Sequence, residues 1–462
     1  MRRNVTDTSE GAVQLLLFGQ RAGNGSTSVR SNGGAFSDPA FTSNKTVPVH
    51  RWVPWIAGFS REFVQSALDR HLHRRGIVLD PFAGVGTTLV EAVLAGHDAV
   101  GFEINPYAAL ACRLKANAYQ VDPDLIRDTV QDFREFYTEA IRGQHCPRSK
   151  PPAGFKTRTA FYSPTVLHEV LIVQDFIGSL RDGAARDLCR LAFGSTMVTY
   201  SNYSYEPSLG RRASAGKKAI VDFPVARTIE GRLLEMEQDV RWMRAQMGNK
   251  GPVAQVFMQS FFGARDILEA RSVDLIVTSP PYLNNYHYNR NTRPHLYWLG
   301  FVSSPSDMRQ LEEANFGKYW QTVRGGERLE LDFTLPGKEL REQLELLRAK
   351  SPEKGVYGGS GWANYAVSYF NDCDRFARAA KYVLKRGGTA LVVIGNSILQ
   401  GVMIPTDRYL AAVCEAAGLR VVDIHVPRAT RVGNSIIQSQ VRVAKAKDEH
   451  KLYEAVVELR KR

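Results

Sequence analysis

The chain has 462 residues, 44% of them hydrophobic and 23% charged, which is the composition of a globular protein of one large or two ordinary domains. A formal charge of +13 is the footprint expected for a polyanionic partner such as nucleic acid. Five scattered cysteines with no C-x-x-C spacing argue against a disulfide framework or a cysteine-rich zinc site, and no apolar run is long enough to span a membrane.

The opening "MRRNVTDTSEGAVQLLLFGQ" has no long apolar core and no cleavage pattern, so the expected setting is the cytoplasm. Residues 1–45 are rich in Gly, Ser, Asn and Thr, bury little surface and are expected to form a flexible tail. Inside it lies "QLLLF", from Gln14 to Phe18. It resembles the peptide by which bacterial DNA-metabolism proteins engage the sliding clamp. A plain apolar anchor packed on the protein's own body is the reading that so short a pattern favours.

In "GIVLDPFAGVGTTLVEAVLAGHDAVGFEINP", residues 77–79 read as a buried strand and Gly84 and Gly86 as a turn. A helix over 87–95 and a strand over 99–102 complete a β-α-β unit of a parallel sheet. Residues 104–250 read as mainly helical, with Ser163 as N-cap and Pro164 in the first turn of one helix. Between two of these helices lies "TYSNYSYEPSLGRRASAGKK", aromatic and then glycine-rich and basic. Strand–helix alternation resumes with "AQVFMQSFF", "GARDILEA" and "VDLIVTSPPY". Residues 300–362 are polar and read as a second insertion. A helix over 364–385 is expected to end at Gly387-Gly388 as a C-cap. The strand "TALVVIGN", a helix over 407–417 and the strands "RVVDIHV" and "YEAVVEL" follow.

A strand that ends in a glycine turn and opens a helix brings backbone N–H groups close to a ligand. A dinucleotide site requires G-x-G-x-x-G, whereas here Gly84-x-Gly86 is followed by Thr87 and Thr88. Asp80, at the strand's end, favours a ligand bearing an amine or a positive charge over one dominated by pyrophosphate. Glu103, 23 positions further on, suits ribose hydroxyls. Asp266, after the third strand, suits the exocyclic amine of adenine. Together the three carboxylates outline a nucleoside with a charged amino-acid tail, the shape of S-adenosylmethionine. The run "VDLIVTSPPYLNNYHYNR" raises a separate question. A buried strand stops at two prolines that cannot donate to a ladder, and aromatics and amides follow.

"DPFAGVGTTLVEA", "GFEINP" and "TSPPY" together resemble the amino-group DNA methyltransferases, which modify cytosine N4 or adenine N6. The stretch "HRWVPWIAGFSREFVQSALD" is similar to the helical motif that precedes their glycine turn. The resemblance covers roughly residues 48–115 and 255–300, and 363–430 more loosely. It implies a Rossmann-like class I methyltransferase with a mainly parallel seven-stranded sheet. It implies S-adenosylmethionine as cofactor, held by Phe82, Gly84, Gly86, Thr87, Glu103 and Asp266, with Asp80 beside the sulfonium and amine. It implies double-stranded DNA as partner, with a restriction endonuclease as a further candidate. The corner follows the glycine turn, about 190 residues on, whereas it precedes it in many members with a serine-type motif. Residues 46–115 and 254–462 then form the core, with an insertion at 299–362. Residues 116–253 form a mainly helical insertion, the candidate for target recognition.

By the same resemblance the corner is catalytic. Ser279 Oγ and the Pro280 carbonyl accept the two N–H bonds of the exocyclic amine. Pro280 and Pro281 hold that carbonyl rigidly, and Tyr282 stacks on a base flipped out of the duplex. No metal is required. The serine inclines the reading to cytosine N4, with adenine N6 as the alternative. An RNA amino-methyltransferase and a non-catalytic nucleic-acid binder rank lower, the first because the tail is too short for an RNA-binding module. A cytosine-C5 enzyme needs a nucleophilic cysteine after proline, and the chain has only Cys146-Pro147. His50, His71, His73, His287 and His295 lack metal spacing and read mostly as surface or structural residues, though His287 and Asn284 are candidates for the base pocket wall. Arg211, Arg212, Lys217 and Lys218 are candidate DNA contacts, as are Arg142, Arg148, Lys150, Lys156 and Arg158; solvated basic loops are the competing reading.

Overall fold

The computed structural model describes residues 44–55, 58, 60–205, 208–248, 251–283, 288–428 and 452–462. The peptide at 14–18, and Asn284 and His287, lie outside the described residues.

Helix α1 (Arg61–His71) begins where the Ser60 side chain accepts from the Phe63 N–H at 3.2 Å. Strand β1 (Ile77–Asp80), helix α2 (Thr87–Leu94), strand β2 (Asp98–Phe102) and helix α3 (Pro106–Ala116) follow. Next come the helices α4 (Pro123–Arg142), α5 (Pro164–Ser179) and α6 (Gly183–Thr196). Proline in the first turn and an Asp122 or Ser163 cap start α4 and α5. A short antiparallel hairpin, β3 (Tyr203–Tyr205) and β4 (Leu209–Arg211), precedes α7 (Val225–Met247).

The chain then re-enters the sheet through β5 (Ala254–Phe257) and β6 (Val273–Thr278). Beyond β6 lie α8 (Tyr288–Asn291), α9 (Arg293–Trp298), α10 (Pro305–Glu313), α11 (Trp320–Val323), α12 (Glu339–Arg348) and the long α13 (Gly359–Val383). Strand β7 (Leu384–Gly395), the hairpin β8 (Ser397–Leu399) and β9 (Val402–Ile404), α14 (Thr406–Ala416), β10 (Leu419–Arg428) and β11 (Glu454–Lys461) complete the order.

The main sheet has seven strands in the order β10-β11-β7-β6-β1-β2-β5. The β1–β2, β1–β6, β2–β5 and β6–β7 pairs are parallel, while β11 runs antiparallel to both β7 and β10. The expected mainly parallel seven-stranded architecture is therefore present. Successive strands step outward from β1 through β2 to β5, and the chain then returns to β6 on the other side of β1. That reversal is a topological switch point, where α/β sheets bind ligands at the carboxyl ends of their strands. The ends concerned carry Asp80 on β1 and Thr278, followed by Ser279, on β6.

β6 is buried at every position except Asp274, which explains its unbroken apolar run. The sheet separates two apolar layers. One joins core residues such as Val78 and Leu89 to Val130, Phe176 and Leu233 of the helical insertion. The other joins Leu79 and Ile276 to α13, α14 and residues of the second insertion such as Phe316 and Leu344.

Two local expectations fail for identifiable reasons. Gly387-Gly388 do not cap α13. The helix ends at Val383 and passes straight into β7, and the glycines fall where the β6–β7 register jumps from Leu384 to Thr389. Gly387 takes φ 76°, so the pair forms a bulge within the strand. The strand expected across "AQVFMQSFF" stops at Phe257, because the Ser260 side chain accepts from the Phe262 N–H and starts a 3-10 turn over Phe261–Asp266.

Candidate active site

One cavity opens at the switch point. Its lining includes Asp80, Phe82, Gly84, Thr87, Glu103, Ser279 and Pro281, so the structure brings the glycine turn and the proline corner to one site. Trp55, Ser260, Phe261, Phe262, Tyr288, Asn289 and Phe316 complete much of the wall.

Asp80 is fully buried, and all its bonds come from inside the protein. Oδ1 accepts from the Phe82 N–H at 3.0 Å and from Thr278 Oγ1 at 2.6 Å, and Oδ2 accepts from Thr88 Oγ1 at 2.8 Å. Burial lifts its pKa to about 6, against the pull of those three donors. Glu103 accepts from the Gly84 N–H at 2.8 Å through Oε2 and from the Asn105 N–H at 2.7 Å through Oε1. Burial lifts it further, to about 7.

These bonds also determine what the glycine turn can hold. The N–H groups of Phe82, Ala83, Gly84 and Gly86 are committed to Asp80, Phe102, Glu103 and Ala83 respectively. A pyrophosphate would need such donors free. The N–H groups of Gly84, Asn105 and Ile104 do not use all the lone pairs of the Glu103 carboxylate, which keeps capacity to accept from a hydroxyl. A buried anionic floor, hydroxyl-accepting Glu103 and an aromatic wall fit a cationic nucleoside and do not fit a dinucleotide.

The two glycines serve different ends. Both take positive φ, 51° at Gly84 and 88° at Gly86. A Cβ on Gly84 would point at Trp55 Nε1, 3.5 Å away across the cavity. A Cβ on Gly86 would stand 2.9 Å from Cys112 Sγ and 3.0 Å from Cys112 Cα. Gly86 therefore lets α2 seat against α3 and lies outside the cavity lining. Fully buried Lys115 holds the turn from behind, donating from Nζ to the Val85 carbonyl at 2.8 Å.

The proline corner is pinned on its far side. Tyr369 on α13 donates its hydroxyl to the Pro281 carbonyl at 3.0 Å, and Ser397 Oγ donates to the Leu283 carbonyl. Among the described residues no hydrogen bond engages Ser279 Oγ or the Pro280 carbonyl. Tyr282 lies outside the lining and donates its hydroxyl to Glu454 Oε1 at 3.2 Å.

Asp266 departs from expectation. It is exposed at the end of its 3-10 turn and does not line the cavity. Because the Ser260 cap starts that turn early, Gln259, Ser260, Phe261 and Phe262 occupy the wall beyond β5 instead. Asn105 was missed in the sequence. Its Oδ1 caps α3 by accepting from the Tyr107 and Ala108 N–H groups, at 3.1 and 3.2 Å. Its Nδ2 donates to Asn289 Oδ1 at 3.2 Å and Thr292 Oγ1 at 2.7 Å, strapping the β2 end to the segment after the corner. The "NP" after Glu103, an N-cap followed by a first-turn proline, was its available signal.

The Arg211–Lys218 loop sits beyond the β3–β4 hairpin, with Arg211, Lys217 and Lys218 exposed. Asn291 holds that hairpin next to the corner: its carbonyl accepts from Tyr205 at 3.0 Å, and its Oδ1 accepts from the Leu209 N–H at 3.1 Å. His50 is bonded to Glu91 at 2.7 Å, and His295 stacks on Tyr107 at 4.3 Å and is driven down to about 4 by burial. Both are structural. Among the described residues no group of three His, Cys, Asp or Glu could hold a metal, and no helix is long and apolar enough to cross a membrane.

Sheet order, switch point and a cavity built for a cationic nucleoside together define a class I methyltransferase. The chain's residues 36–112 match the family model described as DNA methylase. The type II methyltransferase M.BsoBI of Geobacillus stearothermophilus is 22% identical over 438 residues, 86% of this chain and 83% of that protein. M.AvaI of Anabaena variabilis, also a type II methyltransferase, is 24% identical over 423 residues, 86% of this chain and 84% of its own. M.MjaII of Methanocaldococcus jannaschii is 31% identical over 94 residues, 20% of this chain and 18% of its own. The chain is thus similar to DNA methylases over residues 36–112 and to type II methyltransferases over most of its length, and its cofactor is S-adenosylmethionine.

Proposed function

We propose that this enzyme methylates the exocyclic amine of a base flipped out of double-stranded DNA, at a specific sequence, and that the base is cytosine, modified at N4. The observation that carries the reading is that Ser279 and Pro281 face the same cavity as Asp80 and Glu103. One proposed amine acceptor, Ser279, thus shares a chamber with the cofactor's proposed polar partners, and Pro280 stands between two residues that line it.

Glu103 holds the cofactor's ribose hydroxyls, Asp80 supplies negative potential beneath the glycine turn, and the aromatic wall takes the nucleobase. The cofactor, when bound, supplies an electrophilic methyl group. The amine nitrogen is a poor nucleophile while its lone pair is spread into the ring. Ser279 Oγ and the Pro280 carbonyl accept its two N–H bonds and draw it towards tetrahedral geometry. The Tyr369 and Ser397 bonds to the neighbouring carbonyls keep that corner from moving. Tyr282, tethered through its hydroxyl to Glu454, offers its ring to the flipped base.

Two basic stretches support the DNA reading. Thr159 N approaches the Tyr203 hydroxyl at 3.5 Å, and Phe161 stacks on Tyr203 at 5.4 Å, so the 148–158 stretch lies beside the hairpin. Arg293, just past the corner, donates to the Lys156 carbonyl at 3.1 Å. Exposed Lys156 and Arg158 thereby lie on a segment bonded to α9, and Arg211, Lys217 and Lys218 follow a hairpin bonded to α8. Phosphate contacts there would set the register of the duplex, leaving the helical insertion to read bases. Relatives named as type II methyltransferases support a restriction–modification role with a cognate endonuclease. The peptide at 14–18 is proposed as a clamp contact on its sequence alone.

Expressing the protein in a bacterium free of its own methylation, then sequencing that DNA for modified bases, tests the reading. N4-methylcytosine at one short motif is the expected result. N6-methyladenine would overturn the base assignment, and methylated RNA beside unmodified DNA would overturn the substrate class.

A further inference from the structure

The second insertion reaches the cofactor cavity at one place. Ala314, Asn315 and Phe316, between α10 and α11, line it opposite the strand ends. Phe316 is 6% exposed, and its ring meets Phe82 at 5.1 Å edge-on, Phe262 at 6.1 Å and Tyr369 at 5.2 Å edge-on.

The segment is held in this position from α13. Gly317 donates its N–H to Asp372 Oδ2 at 2.8 Å, and Lys318 closes a turn back onto the Asn315 carbonyl at 3.2 Å. Gly317 takes φ 73°, and a Cβ there would stand 2.6 Å from Tyr369 Cδ2. Only glycine lets the backbone cross Tyr369 so closely.

We infer that this segment is the roof of the cofactor pocket, with Phe316 and Asn315 on the purine, and that Tyr369 couples the roof to the amine-holding corner. The inference rests on the methyltransferase reading of the cavity. Asp266, the residue expected to meet the purine edge, is outside the cavity; Gln259 and Asn315 line it instead, the Asn315 amide already bonded to the Glu312 carbonyl at 3.4 Å and to Tyr319. An amide both donates and accepts, which suits an edge carrying an amine beside a ring nitrogen. Tyr369 touches both halves of the site: its ring backs Phe316 and its hydroxyl holds Pro281. A ligand that seats Phe316 therefore also bears on the corner. Tyr369 is a positioning residue; it does not line the cavity.

The test uses the full chain and S-adenosylhomocysteine as probe, with binding measured by calorimetry. Phe316→Ala should weaken binding by about tenfold or more, and Phe316→Leu, which keeps apolar bulk without a flat ring, by several-fold. Wild-type affinity in both variants overturns the roof. Failure of the unmodified protein to bind the probe at all would instead overturn the reading of the cavity on which the roof rests. For the coupling, affinity for duplex DNA carrying the target site is measured with and without the probe. The two should differ by about fivefold or more in the unmodified protein. In Tyr369→Phe that ratio should fall towards one, with probe affinity nearly unchanged; an unaltered ratio overturns the coupling.

Discussion

Thr278 donates to Asp80 across two neighbouring strands, Oγ1 to Oδ1 at 2.6 Å. The bond ties the last residue before the proline corner to the carboxylate beneath the glycine turn. The floor of the cavity and the proline corner are thus one hydrogen-bonded unit at the switch point. Replacing Thr278 with Val keeps the shape and removes the donor. The buried Asp80 then loses one of its three partners, at a cost of about 1–3 kcal/mol. Urea unfolding should show that loss, and Thr278→Ser should recover most of it. Equal stability of the valine variant would mean that the bond contributes nothing net.

Asn105 performs two jobs, capping α3 and strapping it to Asn289 and Thr292. Asn105→Ala should therefore destabilise by about 2–3 kcal/mol, one cap plus the buried strap. It should also slow methyl transfer by about tenfold or more, because the strap positions the segment after the corner. A variant that lost stability but transferred at the normal rate would reduce Asn105 to a cap alone.

The readable parts of this site were those in which local chemistry and chain order coincide. The β1–α2–β2 unit was visible because its apolar runs and its glycine turn are continuous in sequence, and Asp80 and Glu103 fall at strand ends by simple counting. Ser279 and Pro281 were visible because prolines interrupt a buried strand. Asp266 was misplaced because the strand stops at Phe257 and the Ser260 cap starts a turn inside the stretch that reads as extended. Phe316 and Tyr369 carry no local signature, since each is an aromatic in a polar or helical stretch. Their meaning comes from a tertiary approach between α13 and an insertion loop. Gly387-Gly388 misled for the opposite reason: a glycine pair after a helix has a strong local meaning, and sheet register overrode it.

Burial lifts Glu103 to about 7 and Asp80 to about 6, from ordinary values of 4.5 and 3.8. A carboxyl whose pKa rises on folding binds its proton more tightly folded than unfolded. Its stabilising contribution is complete below the unfolded value and is lost as pH climbs through the folded one. The cofactor-free protein should therefore lose stability across about pH 4.5 to 7 through Glu103. On the proposed reading cofactor binding runs the other way, because the ionised carboxylate is the stronger acceptor of ribose hydroxyls. Affinity for S-adenosylhomocysteine should fall as pH drops below about 7, approaching tenfold per unit, with proton release on binding near that pH. Calorimetry in buffers of different ionisation heat reads both. A flat affinity from about pH 6 to 8, or a slope that survives in Glu103→Gln, would rule this linkage out.

The basic loop after β4 makes a different kind of prediction. Phosphate contacts are measured by salt, not by sequence. Removing two of them should lower the slope of log affinity against log salt by about 1.8, at about 0.9 per contact, without altering the target motif. Arg211→Ala with Lys218→Ala is the variant to use, because both side chains are exposed and neither faces the cavity. An unchanged slope would assign the loop to solvent.

Ser279 separates binding from chemistry. It lines the cavity, yet among the described residues it makes no hydrogen bond, so its removal disturbs no internal contact of the site. Asp80 and Glu103, the proposed polar partners of the cofactor, are held by other bonds. Ser279→Ala should therefore leave S-adenosylhomocysteine affinity within about twofold while single-turnover methyl transfer falls by about a hundredfold, the scale of losing one preorganised polar group at a reacting centre. DNA affinity should change little, because the phosphate contacts lie elsewhere. If the alanine variant lost cofactor affinity as steeply as it lost transfer, Ser279 would belong to the cofactor site, and the amine would have to be held by the Pro280 carbonyl and a group outside this corner.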